Sequence, residues 1–117
     1  MSEPILDTLI LNNATVTAGS SSEPVHTVFD ANHADVLIRV GTKTGSPVLT
    51  FYLDVIEPTS GATIRTYPGI AISTATTSDY ITVDGLTLGT RLKVRYAGTL
   101  DADNKFSGVY CRLVVKR

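Results

Sequence analysis

Several groups of residues in this chain have side chains that could do chemistry or recognition, and their spacing decides what each is fit for. The run Asp101-Ala102-Asp103-Asn104 sets out oxygen atoms as some calcium loops do. Ca²⁺ takes roughly six to eight oxygens, and the glycine and distal glutamate of an EF-hand loop are absent. Aspartate and asparagine are also the usual residues of hairpins, so the run reads as a turn. His26 and His33 stand seven residues apart, which is not the spacing of a zinc pair. Nothing near them supplies the nucleophile, base and orienting group of a catalytic set. No G-x-S-x-G elbow, P-loop or H-E-x-x-H motif occurs. The expectation is a protein that is not an enzyme and has no metal site and no cofactor.

The remaining groups suit recognition or packing. Arg91, Lys93 and Arg95 fall on one face of an extended segment, because successive side chains of a strand point to opposite sides. They form either a solvated sheet face, paired across strands with carboxylates such as Asp54 and flanked by Arg112, or a surface for an acidic partner. Ile5, Leu6, Leu9, Ile10 and Leu11 make an irregular apolar cluster that ends at the turn-forming pair Asn12-Asn13. Residues 1–13 are accordingly an edge strand of the chain's own sheet or an arm that docks on a neighbouring subunit. Tyr52, Tyr67 and Tyr80 either offer stacking faces for a sugar or pack under loops. Cys111, the sole cysteine, lies in the inward register of the last strand and reads as a buried small hydrophobe.

The segments that must hold these groups are strands. The longest alternating stretch is Val48 to Pro58, in which Leu49, Phe51, Leu53 and Val55 share one face and Thr50, Tyr52 and Asp54 the other. Thr59-Ser60-Gly61 turns it back into a paired strand, Ala62 to Tyr67, which Pro68-Gly69 ends. Ahead of it, Val25, Thr27 and Phe29 alternate with His26 and Val28. Ala34 to Lys43 then places Val36, Ile38 and Val40 opposite Leu37, Arg39 and Gly41, and Thr44-Gly45-Ser46-Pro47 makes a hairpin-like connection into the long stretch. Ile70 to Ser78 is irregular, Asp79 to Asp84 is a short strand, and the Gly85 to Thr90 connection leads into Arg91 to Ala97. The last strand, Phe106 to Lys116, turns Val109, Cys111, Leu113 and Val115 inward, with a bulge at Gly108. Seven or eight short strands without a helical period predict an all-β, antiparallel two-sheet sandwich, immunoglobulin-like or jelly-roll-like, with a barrel as the alternative. Residues 14–117 are expected to form that single domain.

Composition narrows the function classes. The chain has 117 residues, 43% of them hydrophobic and 18% charged, with a net charge of −1. That charge and the lack of a long basic run argue against nucleic acid as a partner. No apolar run approaches the roughly 18 residues of a membrane span, and the N-terminal Met-Ser-Glu-Pro lacks the positive charge of a signal peptide. One cysteine cannot make an internal disulfide, so assembly in a reducing cytoplasm is expected.

The pattern V-L-T-F-Y-L-D-V-I at 48–56, Tyr67-Pro68-Gly69-Ile70, L-G-T-R-L-K-V-R-Y at 88–96 and the closing V-V-K-R resembles small tailed-bacteriophage virion proteins of the head and tail gene cluster. Those are β-sandwich proteins, and several are capsid decoration or cement proteins. The resemblance covers roughly residues 30–117 and implies binding to the outside of a capsid. The partner would be the major capsid protein, the self-association a homo-oligomer with a trimer favoured, and the location the virion. It brings no catalytic residues. Ile5, Leu6, Leu9, Ile10, Arg91, Lys93 and Arg95 are then the candidate partner-binding residues. The alternatives are a carbohydrate-binding or adhesion-type module and a tail or head-completion component.

Overall fold

The computed structural model describes residues 4–19, 24–28, 31–69, 71–73, 78–84 and 91–116. Phe29, the turn position Asp30, Ile70, residues 74–77 and the 85–90 connection lie outside the described residues. Nine strands run through the rest: β1 (Pro4–Val16), β2 (Val25–Thr27), β3 (His33–Arg39), β4 (Thr42–Thr44), β5 (Val48–Ile56), β6 (Thr63–Pro68), β7 (Ser78–Asp84), β8 (Arg91–Thr99) and β9 (Lys105–Lys116). They form two open sheets. The first has the order β1-β9-β3-β7, with β4 also on β9, and the second has the order β2-β8-β5-β6. Every pairing within them is antiparallel. The expected two-sheet sandwich is therefore the fold.

Alternation builds the core from both sheets. On β5, Leu49, Phe51, Leu53 and Val55 are buried, as are Leu92 and Val94 on the neighbouring β8. Across from them stand Val36 and Ile38 of β3, Ile81 and Val83 of β7, and Val109, Cys111, Leu113 and Val115 of β9. The rings of Phe51 and Tyr96 meet at 5.6 Å and 56°, a tilted arrangement that suits their quadrupoles. Truncating a fully buried Phe or Leu here costs about 2–5 kcal/mol. The β5–β6 hairpin turns as expected: Gly61 has φ 75° and donates its N–H to Glu57 O at 2.9 Å. The Glu57 carboxylate also caps the turn, accepting from the backbone of Thr59 and of Ser60 at 3.0 and 2.5 Å. These bonds to the charged form hold its carboxyl at about 2, with the Ser60 hydroxyl the largest cause.

Two expectations about connectivity are corrected. Residues 34–43 are not one strand, because the chain breaks at Val40-Gly41 between β3 and β4. Nor is the 44–47 connection a hairpin: β4 pairs with β9 in the first sheet, while β5 pairs with β6 and β8 in the second. The chain crosses the sandwich there. Alternation specifies which face is buried, but not which strand lies alongside.

The first sheet carries irregularities at one level on three adjacent strands. Gly108 has φ 64° and marks the expected bulge in β9, Asn13 has φ 51° in β1, and Gly41 interrupts β3–β4 beside Ser107 and Gly108. A Cβ on Gly41 would come within 2.9 Å of the Ser107 carbonyl oxygen. β1 shifts register against β9 between Pro4 and Leu6, Leu9 and Leu11, Leu11 and Ala14, and Ala14 and Val16. Bulges twist a strand and spoil its outer edge for further pairing.

Candidate functional site

The expected partner-binding residues are divided between the two sheets, on β1 and on β8. Pro4–Val16 is an edge strand of the chain's own sheet and runs past the expected boundary at residue 13. Ile5, Leu6 and Ile10 pack against the core. Leu9 is the member of the cluster turned to solvent, 43% exposed. Its cross-strand neighbour is Arg112.

Arg91, Lys93 and Arg95 lie on the outer face of the second sheet, all half-buried. The expected pairing with Asp54 is present for Arg95, whose Nε donates to Asp54 Oδ2 at 2.6 Å. Thr66 Oγ1 donates to the other carboxylate oxygen at 2.7 Å, and the Arg95 guanidinium lies 4.3 Å over the Tyr52 ring. Asp54 is left only 1% exposed. A carboxylate is stable at that depth only because both oxygens are bonded and one partner is charged. Arg95 is thus a structural cation. Arg91 and Lys93 have no ion pair among the described residues. Arg112 does not flank this row, since β9 belongs to the other sheet.

Arg112 helps build a different surface. On the first sheet's outer face, β3 and β9 run side by side with Leu37 opposite Arg112 and Arg39 opposite Tyr110. β1 adds Leu9 beside Arg112, and β7 adds Tyr80 beside Leu37. Leu9, Leu37, Tyr80 and Tyr110 are 40–67% exposed, an unusual concentration of large apolar side chains on one solvated face. Leu9, Leu37, Ile38, Arg39, Tyr110 and Arg112 line an open groove of about 220 Å³. At its rim Arg112 Nη1 donates to Asp7 Oδ1 at 2.7 Å. The alternation already put Leu37, Arg39, Tyr110 and Arg112 on non-core faces; their adjacency was the missing information.

Farther along the same face, the two ring nitrogens of His33 lie against Asp84 and against Asp35, the latter at 2.9 Å. Thr82 Oγ1 donates to the second oxygen of Asp35 at 2.8 Å. The hydrogen bond to Asp84, then that to Asp35, raises the imidazole above its ordinary 6.5. With both nitrogens held by carboxylates, the ring bridges charge and is not poised to take a proton from a nucleophile. His26 sits on β2, half-buried opposite Leu92, and its Nε2 has no hydrogen-bond partner among the described residues.

The acidic loop is occupied by its own backbone. Asp101 Oδ1 accepts from the N–H groups of Asp103 and Asn104, both at 2.8 Å, and from Asn104 Nδ2 at 3.0 Å. Asn104 Oδ1 in turn accepts from Ser46 N–H at 2.9 Å, tying the loop to the chain crossing between sheets. These bonds lower the Asp101 carboxyl. Among the described residues no cluster of three or more His, Cys, Asp or Glu side chains is arranged to hold a metal ion. Of the tyrosines considered for stacking, Tyr52 lies under Arg95 and Tyr67 is packed against the core, while Tyr80 is exposed. Cys111 is a buried free thiol. No protein-family model and no curated protein matches this chain.

Proposed function

We propose that this protein is a non-enzymatic structural component of a tailed-bacteriophage virion, a decoration protein that binds the outer surface of an assembled capsid and stabilises the shell. The observation that carries a binding role is the outer face of the first sheet, where Leu9, Leu37, Tyr80 and Tyr110 stand exposed beside Arg39 and Arg112. Covering an apolar surface of this kind supplies association energy, and arginine and tyrosine are the side chains that interfaces favour. The capsid as the partner rests on the resemblance of the strand-and-turn pattern to small virion proteins. A sandwich of two packed sheets also suits a clamp that must not deform. Many copies on one shell multiply weak contacts, so each need bind only modestly.

The test is direct. Purified protein mixed with expanded capsids co-sediments at a fixed copy number and raises the temperature at which the shells rupture. Protein that stays in the supernatant when those capsids pellet overturns the proposal. An adhesion-type module draws its support from exposed Tyr80. A glycan array that lights up, with signal lost in Tyr80→Ala, would replace the capsid reading with that one.

A further inference from the structure

The groove between Leu9, Leu37 and Tyr110 has apolar walls and carries the guanidinium groups of Arg39 and Arg112. We propose that it is a docking site for a partner-protein segment that presents an apolar side chain next to a carboxylate. Leu9, Leu37 and Tyr110 seat the apolar group, while Arg39 and Arg112 take the carboxylate. The assignment rests on the binding role proposed above and adds the chemistry of the partner.

Charge complementarity selects the occupant. Arg39 and Arg112 occupy adjacent strands one diagonal apart, since Arg39 faces Tyr110 and Arg112 faces Leu37. Diagonal neighbours on a sheet are roughly 7–8 Å apart, within reach of one carboxylate for two long side chains. Arg39 forms no ion pair among the described residues. Arg112 already holds a carboxylate, that of Asp7, through Nη1 at 2.7 Å. Both members of that pair are more than 40% exposed, at 44% and 43%, and an exposed pair of this kind is weak and exchangeable. Asp7 therefore stands in for the incoming group and shows which ligand the guanidinium takes here.

Size and surroundings point to a peptide side chain. At about 220 Å³ the groove is smaller than the roughly 300–1,000 Å³ of small-molecule pockets. The bulged β1 edge is a poor template for an added strand, so a partner approaching from this side meets the face and not the backbone.

The full chain, labelled with ¹⁵N, tests the assignment by NMR titration with acetyl-Gly-Leu-Asp-Gly-amide and with its Asn counterpart. The expected result is movement of the Leu37, Arg39, Tyr110 and Arg112 amides, saturating at millimolar Asp peptide and about threefold or more weaker with the Asn peptide. Arg39→Gln weakens binding of the Asp peptide by a similar factor without lowering Tm, and Asp7→Asn, which frees Arg112, tightens it. Equal response to the two peptides, shifts confined to other faces, no shifts, or no gain from Asp7→Asn overturns the site. Capsid sedimentation separates this from the broader role. Folded Leu37→Asp protein that binds capsids like the wild type removes the groove and leaves the capsid role standing. Wild-type protein that takes the Asp peptide in the groove but ignores capsids keeps the site and removes that role.

Discussion

Replacing Asp54 with Ala removes the acceptor that organises the outer face of the second sheet. Its two oxygens take one hydrogen bond from the Arg95 guanidinium at 2.6 Å and one from the Thr66 hydroxyl at 2.7 Å. Both bonds are to a charged group, and such a bond contributes about 1.5–3 kcal/mol. Thr66 is exposed and Arg95 is 33% exposed, so both recover some hydration after the change. The expected loss is therefore about 3 kcal/mol, at the low end of the ~3–5 of breaking a fully buried pair. Over 117 residues, an unfolding entropy of about 2.1 cal/mol/K per residue comes to roughly 0.25 kcal/mol/K. The Tm should drop by about 12 °C. Urea denaturation of wild type, Asp54→Ala, Arg95→Met and the double variant gives the coupling directly, because methionine keeps an apolar stem over Tyr52. A coupling of about 1.5–2 kcal/mol is expected, little reduced by salt at this burial. A coupling below about 0.5 kcal/mol, or a Tm change of only a few degrees for Asp54→Ala, would refute the account of Asp54 as a paired interior carboxylate.

Three further outcomes are expected. His33 should titrate above 6.5 in its ring ¹H–¹⁵N shifts; because the folded value is raised, its stabilisation is complete below 6.5 and fades as pH rises through the folded value, and Asp84→Asn should bring the titration down. Glu57 behaves in the opposite sense: its carboxyl, held at about 2, supports the β5–β6 turn above its ordinary 4.5 and loses that support as pH falls toward 2, which a side-chain carbon shift titration reads and Glu57→Gln abolishes. Gly98→Ala should lower Tm by more than 5 °C, since a Cβ there would sit 1.9 Å from the Val48 carbonyl oxygen, whereas the same change at exposed Gly61 meets open space and costs about 1 kcal/mol for its φ of 75°. Equal Tm values for Gly98→Ala and wild type would mean that β5 and β8 are not this close.

Much of the fold was legible because strand patterning is local. Leu49, Phe51, Leu53 and Val55 are buried as their spacing requires, and Gly61 and Gly108 take the left-handed conformations that a turn and a bulge demand. The Arg95–Asp54 pair was legible too, as a cation row beside a carboxylate on a neighbouring strand. The near-complete burial of Asp54 was not, since its carboxylate is met by Arg95 and Thr66 from the strands on either side. The break at Gly41 was equally hidden: it answers the close approach of Ser107 and Gly108, more than sixty residues away.

By itself the amino-acid order determined most of the strands, the faces they bury, the β5–β6 turn and the lack of any recognisable catalytic motif. These depend on a two-residue period and on backbone preferences, which act over a few neighbouring residues. Tertiary structure alone decided the neighbours. β3 lies between β7 and β9, and neither is next to it in the chain, so Leu37 and Arg39 meet Tyr110 and Arg112 only after the sheet has assembled. The same pairing sends β4 and β5 to opposite sheets and parts Arg112 from Arg91, Lys93 and Arg95. Pairing is settled by the collective fit of distant apolar faces, and alternation within a strand is equally satisfied by any partner whose inward face is apolar.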